Sequence, residues 1–108
     1  MRTKVESPSF SKDKEKLSKQ GKDLNLLESL VNLIMSGQRI PEIHKPHKLK
    51  NSKDYKQCLE CHVTSPTDDW VVVYKIYKDK RTKDITVVFL KTGTHSYVFK
   101  ESLERQIL

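Results

Sequence analysis

Trp70-Val71-Val72-Val73-Tyr74-Lys75-Ile76-Tyr77 is a dense run of β-branched and aromatic residues, and its reading decides the fold. Such side chains suit a pleated, half-buried surface, so residues 70–77 are expected to form a strand. The polar turn Lys78-Asp79-Lys80-Arg81 follows, and residues 85–92 (Ile85-Thr86-Val87-Val88-Phe89-Leu90-Lys91-Thr92) repeat the pattern. A short connection makes the two strands antiparallel neighbours. Upstream, residues 55–63 read as a third strand. Residues 38–54 carry Pro41, Pro46 and several lysines, and read as a long basic loop. Before it, Leu24, Leu27, Val31 and Ile34 recur at helical spacing with Leu30 beside them. Asp23 can cap that helix and Gly37 can close it. Residues 10–20 form a thinner amphipathic helix, with Phe10 and Leu17 seven apart, after a turn at Ser7-Pro8-Ser9 and before Gly21. Residues 2–6 suit a short edge strand, and 101–108 a short final helix. The fold class is α+β: a helical hairpin packed on one antiparallel sheet.

A chain of 108 residues, 35% hydrophobic and 32% charged, supports one domain over 1–108 with one modest core. Its net charge of +7 is unevenly placed. Residues 1–22 hold seven Lys/Arg against three Asp/Glu, and residues 39–56 hold six against two. A basic front of this kind suits a polyanionic partner, nucleic acid above all. No run approaches the roughly 20 apolar residues of a membrane span. The N-terminus has no apolar signal segment, because Lys4, Glu6, Lys12 and Asp13 interrupt it. The chain is therefore read as cytosolic, with no membrane contact.

Two cysteine patterns invite a cofactor. Cys58-Leu59-Glu60-Cys61-His62 matches a haem-attachment string, and His44-x-x-His47 with Cys58-x-x-Cys61 offers zinc-ligand types with ten residues between the pairs. In a strand, however, residues three apart point to opposite faces. Cys58 and Cys61 then cannot share a haem edge, a zinc ion or a disulfide, and no haem, metal or other cofactor is expected. A third, scattered set comprises His47, His62, Asp69, Lys91 and His95, with Phe99. These types suit metal-free RNA cleavage, which needs a base for the ribose 2′-OH, an acid for the leaving 5′-oxygen and a cation for the phosphorane. Histidine titrates near ~6.5 and can serve as either acid or base.

The order of several short motifs carries more than any one of them. His62-Val63, Asp69-Trp70-Val71-Val72-Val73-Tyr74-Lys75, Lys91-Thr92-Gly93-Thr94-His95 and Phe99, with His47-Lys48-Leu49 upstream, resemble the YafQ branch of the RelE-type mRNA interferases over residues 2–99. The resemblance implies a helical hairpin on a twisted antiparallel sheet. It implies a metal-free endoribonuclease that enters the ribosomal A site, cuts mRNA to a 2′,3′-cyclic phosphate and is neutralised by a cognate antitoxin. Carried over by position, His47 and His62 would contact RNA and share acid–base work, Asp69 would orient one of them, and His95 would be the general acid. Phe99 would stack on a base, Trp70 would lie at the RNA or anchor its strand, and Lys45, Lys48, Lys50 and Lys53 would hold ribosomal RNA.

The chain departs from the family pattern in places. Lys91 stands where arginine is usual, which keeps the charge and loses the two-pronged grip on phosphate. Asn51-Ser52 replaces a glycine, the loop from His62 to Asp69 is longer, making Asp68 an alternative to Asp69, and residues 100–108 form a C-terminal extension. Two other functions fit the same fold: a gyrase-poisoning toxin without nuclease activity, and an inactive RNA-binding module.

Overall fold

The order of elements follows from a few local signals. In the computed structural model, which describes residues 2–49 and 55–99, strand β1 (Arg2–Glu6) leads straight into helix α1 (Pro8–Lys19). Ser7 caps α1, its hydroxyl accepting from the Phe10 N–H at 3.0 Å. Pro8 takes the first helical position, where its missing N–H costs nothing. The turn expected at residues 7–9 is thus the start of the helix. Helix α2 (Leu24–Ser36) is capped by Asp23, and Gly37 closes it in the left-handed conformation with φ 76°. A single 3₁₀ turn (Glu42–His44) and a two-residue strand β2 (His47–Lys48) interrupt the loop expected at 38–54. Strands β3 (Leu59–His62), β4 (Val71–Lys78) and β5 (Ile85–Gly93) follow, then the four-residue helix α3 (His95–Val98). Lys50, Lys53, Asn51-Ser52 and the helix expected at 101–108 lie outside the described residues.

The five strands form one sheet in the order β1-β5-β4-β3-β2. Pairs β2–β3, β3–β4 and β4–β5 are antiparallel, as short connections require. Strand β1 pairs with β5 in parallel, so the sheet is mixed at one edge. Nearly the whole chain separates those two strands, and no hairpin constrains their direction. Both helices cover one face, where Phe10, Leu17, Leu27, Leu30, Val31 and Ile34 pack against Val72, Tyr74, Val87 and Phe89. The other face holds a smaller cluster of Cys58, Val71, Val73 and Val98.

A β-bulge between Val73 and Tyr74 reorganises that second face. Val73 pairs with Lys91 while Tyr74 pairs with Phe89, leaving Leu90 as the extra residue. Phe89 therefore faces the helices and Lys91 the opposite side, although they are two apart on one strand. The bulge delivers Lys91, Gly93 and the start of α3 to the uncovered face.

Candidate active site

On the uncovered face, strand parity gathers the polar groups. Glu60 and His62 are two apart on β3 and point the same way. His47 on β2 is the direct cross-strand partner of Glu60. His95 opens α3 just beyond the end of β5. These residues, with Lys45, Asp68 and Asp69, line an open cleft of about 550 Å³.

Glu60 is its hub. Its side chain is buried, and its Oε1 lies 3.2 Å from His95 Nε2, 3.5 Å from His62 Nε2 and 3.7 Å from His47 Nε2. The far nitrogen of each ring faces a group that can only accept. His47 Nδ1 meets the Lys45 carbonyl at 2.8 Å, and His62 Nδ1 the Asp68 carbonyl at 2.8 Å. His95 Nδ1 meets Asp69 Oδ1 at 2.6 Å. Each Nδ1 must therefore donate its hydrogen. All three Nε2 atoms are left facing one carboxylate oxygen, and the His95–Glu60 hydrogen bond exists only with a proton between them. One carboxylate oxygen thus links the three rings.

Asp69 is exposed, but the same Oδ1 also accepts from the His95 backbone N–H at 2.9 Å. These two hydrogen bonds, backbone first, hold its carboxyl below the usual range. Stability from such a depressed carboxyl is present above its unfolded-state value and fades only as pH falls through the folded-state one. At neutral pH Asp69 is thus an ionised anchor. Asp68, the alternative, contributes its carbonyl to His62 and its carboxylate to Thr64. Phe99 stacks beside His95 with centroids 6.3 Å apart and meets Tyr55 edge-on.

The structure brings His47, His62, Asp69 and His95 together and sends other expected site residues elsewhere. Trp70 is a correction: it is 5% exposed, in the core with the helices, and its Nε1 donates to Thr92 Oγ1 at 2.9 Å. It has no face to offer RNA. Trp70→Phe should cost about 1–2 kcal/mol in urea denaturation through the lost buried hydrogen bond, with RNA binding per folded molecule unchanged. Lys91 points at Tyr97, donating to its hydroxyl at 3.2 Å, and does not line the cleft. Lys45 lines it, whereas Lys48, next along β2, lines a separate hollow with Gln57, Leu59 and Ile76.

Glu60 is a site residue that no motif marks; its signal in the sequence is its position two before His62, on the same strand face. Cys58 and Cys61 are buried free thiols in the two opposite clusters, as strand parity requires. Burial pushes both above the ordinary thiol range. Among the described residues, the group at metal-ligand spacing is Glu60, His62 and His95, with ligand atoms within 4.8 Å of one another. One carboxylate and two imidazoles suit zinc or copper, so these residues can hold such an ion.

The chain resembles proteins of known kind along nearly its whole length. The curated mRNA interferase toxin YafQ of Escherichia coli (strain B / BL21-DE3) is 33% identical over 94 residues, covering 86% of this chain and 90% of that protein. The toxin in the crystal structure of the E. coli DinJ–YafQ toxin–antitoxin complex superposes with a TM-score of 0.73 at 33% identity, over 91% of this chain and 97% of that one. A metal-bound toxin from Helicobacter pylori superposes with a TM-score of 0.74 at 34% identity, over 92% of this chain and 100% of that one. The sequence pattern of the family described as "Bacterial toxin of type II toxin-antitoxin system, YafQ" matches residues 2–100. With its helical hairpin, mixed sheet and match from end to end of the described region, the chain belongs to the YafQ family of type II toxin–antitoxin toxins.

Proposed function

We propose that this chain is an endoribonuclease toxin that cuts mRNA in the ribosomal A site by metal-free acid–base catalysis, and that a cognate antitoxin neutralises it. The observation that carries the mechanism is the convergence of three Nε2 atoms on Glu60 Oε1. In-line cleavage moves two protons. A base removes the 2′-OH proton as O2′ attacks phosphorus, and an acid protonates the departing 5′-oxygen, leaving a 2′,3′-cyclic phosphate. Neutral Nε2 is a base and protonated Nε2 an acid, and three imidazoles around one carboxylate offer groups for both tasks. His95, anchored by Asp69 and with its side chain 42% exposed, can reach the leaving group. His47 and His62, with Glu60 behind them, flank the attacking side. Lys45 brings positive charge to the cleft, and Phe99 offers a stacking ring beside His95.

The related E. coli toxin is named an mRNA interferase, and its structure with DinJ is that of a toxin–antitoxin complex. Both fit this reading, as does a cytoplasmic place of action. A zinc or copper ion on Glu60, His62 and His95 would occupy the lone pairs that proton transfer uses.

The test is to induce the chain in bacteria beside His95→Ala and map new 5′ ends on translated messages, with purified toxin assayed on ribosome-bound mRNA in EDTA. Expected are in-frame cuts, growth arrest, loss of both with His95→Ala, and a rate indifferent to EDTA. Growth arrest without new ends would point to the gyrase-type toxin, and no effect to an inactive binding module. A rate abolished by EDTA would overturn the metal-free mechanism.

A further inference from the structure

Asp13 is a carboxyl group the cleft does not use, buried at 3% exposure in the middle of a helix crowded with lysines. One oxygen, Oδ2, accepts from the Thr92 backbone N–H at 3.1 Å. The other accepts from the Tyr97 hydroxyl. That hydroxyl also accepts from Lys91 Nζ, so its own proton goes to Asp13. Thr92 in turn receives the Trp70 indole N–H and donates to the Val71 carbonyl at 2.9 Å. One side chain on α1 thus ties together the end of β5 and the third residue of α3, either side of His95.

The position of His95 depends on such ties. Helix α3 has four residues, too few to hold itself by backbone hydrogen bonds alone. The Asp69 contact fixes the front of α3, but Asp69 sits exposed between strands. Val98 seats one side of α3 against Cys58, Val71 and Val73, but between α1 and α3 lies a cavity of about 100 Å³, bordered by Asp13, Leu17, Gln20 and Tyr97, so packing does not hold α3 on that side. Gly93, at φ 152°, lets Tyr97 lie against the strand end, where a Cβ would come within 2.8 Å of the ring. A buried carboxyl is costly to desolvate, and its best-attested use is to fix one geometry.

We propose that Asp13 is a positioning residue for His95, acting through Tyr97 and Thr92. The inference rests on the reading of His95 as a proton donor. Catalytic groups must be held to within a fraction of an ångström, and a displacement of about 1 Å costs roughly 10²-fold.

The experiment compares wild type, Asp13→Asn, Tyr97→Phe, the double variant and His95→Ala in cleavage of ribosome-bound mRNA. Urea denaturation corrects each rate for folded fraction, and NMR of the His95 ring reports its environment. Expected is a fall in kcat of about 10- to 100-fold for each single variant with KM within about twofold. The double variant should be no worse than the slower single, because both cut the same tie. The His95 ring resonances should shift in each. Should Asp13→Asn fail to fold, Tyr97→Phe, which keeps the Asp13–Thr92 bond, decides the matter by the same readouts. Wild-type kcat per folded molecule, or additive losses, would reduce Asp13 to a structural residue and overturn the inference. Those results with an inactive His95→Ala would leave the acid–base reading standing, whereas a fully active His95→Ala would overturn both.

Discussion

Replacing His95 with alanine lowers mRNA cleavage by about 10³-fold while ribosome binding and stability stay near wild type. The ring is 42% exposed, so its removal opens no cavity. Asp69 keeps its bond to the backbone N–H of residue 95. What disappears is the nitrogen proposed to protonate the leaving oxygen, along with the 3.2 Å link to Glu60. The loss should fall on kcat in single-turnover assays, and a substrate with an activated leaving group, which needs no protonation, should recover much of it. An unchanged leaving-group dependence would assign the acid to another residue. Because Asp69 is held below the ordinary carboxylate range, it stays ionised between pH 5 and 8. Rate changes in that window therefore do not come from Asp69.

Glu60→Gln should be the second large effect, lowering the rate by about 10²-fold at neutral pH. The amide keeps the shape of the side chain but removes the one negative charge that faces three imidazoles. Without that charge the three Nε2 atoms lose the anionic acceptor on which they converge. The measurement is kcat/KM for wild type and Glu60→Gln at neutral pH, corrected for folded fraction by urea denaturation. A wild-type rate per folded molecule would show that Glu60 serves packing and not the reaction.

Most of the fold was legible because it rests on periodicity. Leu24, Leu27, Val31 and Ile34 announce α2, and the valine-rich run 70–77 announces β4. Three features were not legible for identifiable reasons. Strand β2 is two residues long and directly follows Pro46, so its pairing with β3 is a tertiary event. The strand expected at 55–63 shrinks to Leu59–His62, because Tyr55-Lys56-Gln57 turns with Gln57 at φ 60°. The bulge at Val73/Tyr74 reverses the facing of Lys91 relative to Phe89, which alternation alone cannot foresee.

In the site, the motifs point to His47, His62, Asp69, Lys91 and His95 as one group, and the cleft gathers all of them except Lys91, which turns to Tyr97. Glu60 and Asp13 were readable and unread. Each lies on a stripe already identified, two before His62 on its strand and three after Phe10 on its helix, facing Leu17's side. A carboxylate on an inward stripe should be expected to have a partner there. Trp70 was misplaced because adjacency in a motif does not fix which face of a strand a residue takes.

The position of β5 also governs when the toxin comes into being. This strand lies between β1 and β4, so β1 waits for a strand far along the chain before it finds its neighbour. His95 follows directly after β5, and its anchors reach back to residues 60 and 69. During synthesis, α1 and α2 can form early, but the sheet edge and the cleft cannot close until residue 99 has cleared the exit tunnel. Folding dominated by such distant pairing is slow for a domain of this size. The cleft is thus among the last parts of the fold to be assembled, because His95 depends on contacts that only the finished sheet supplies.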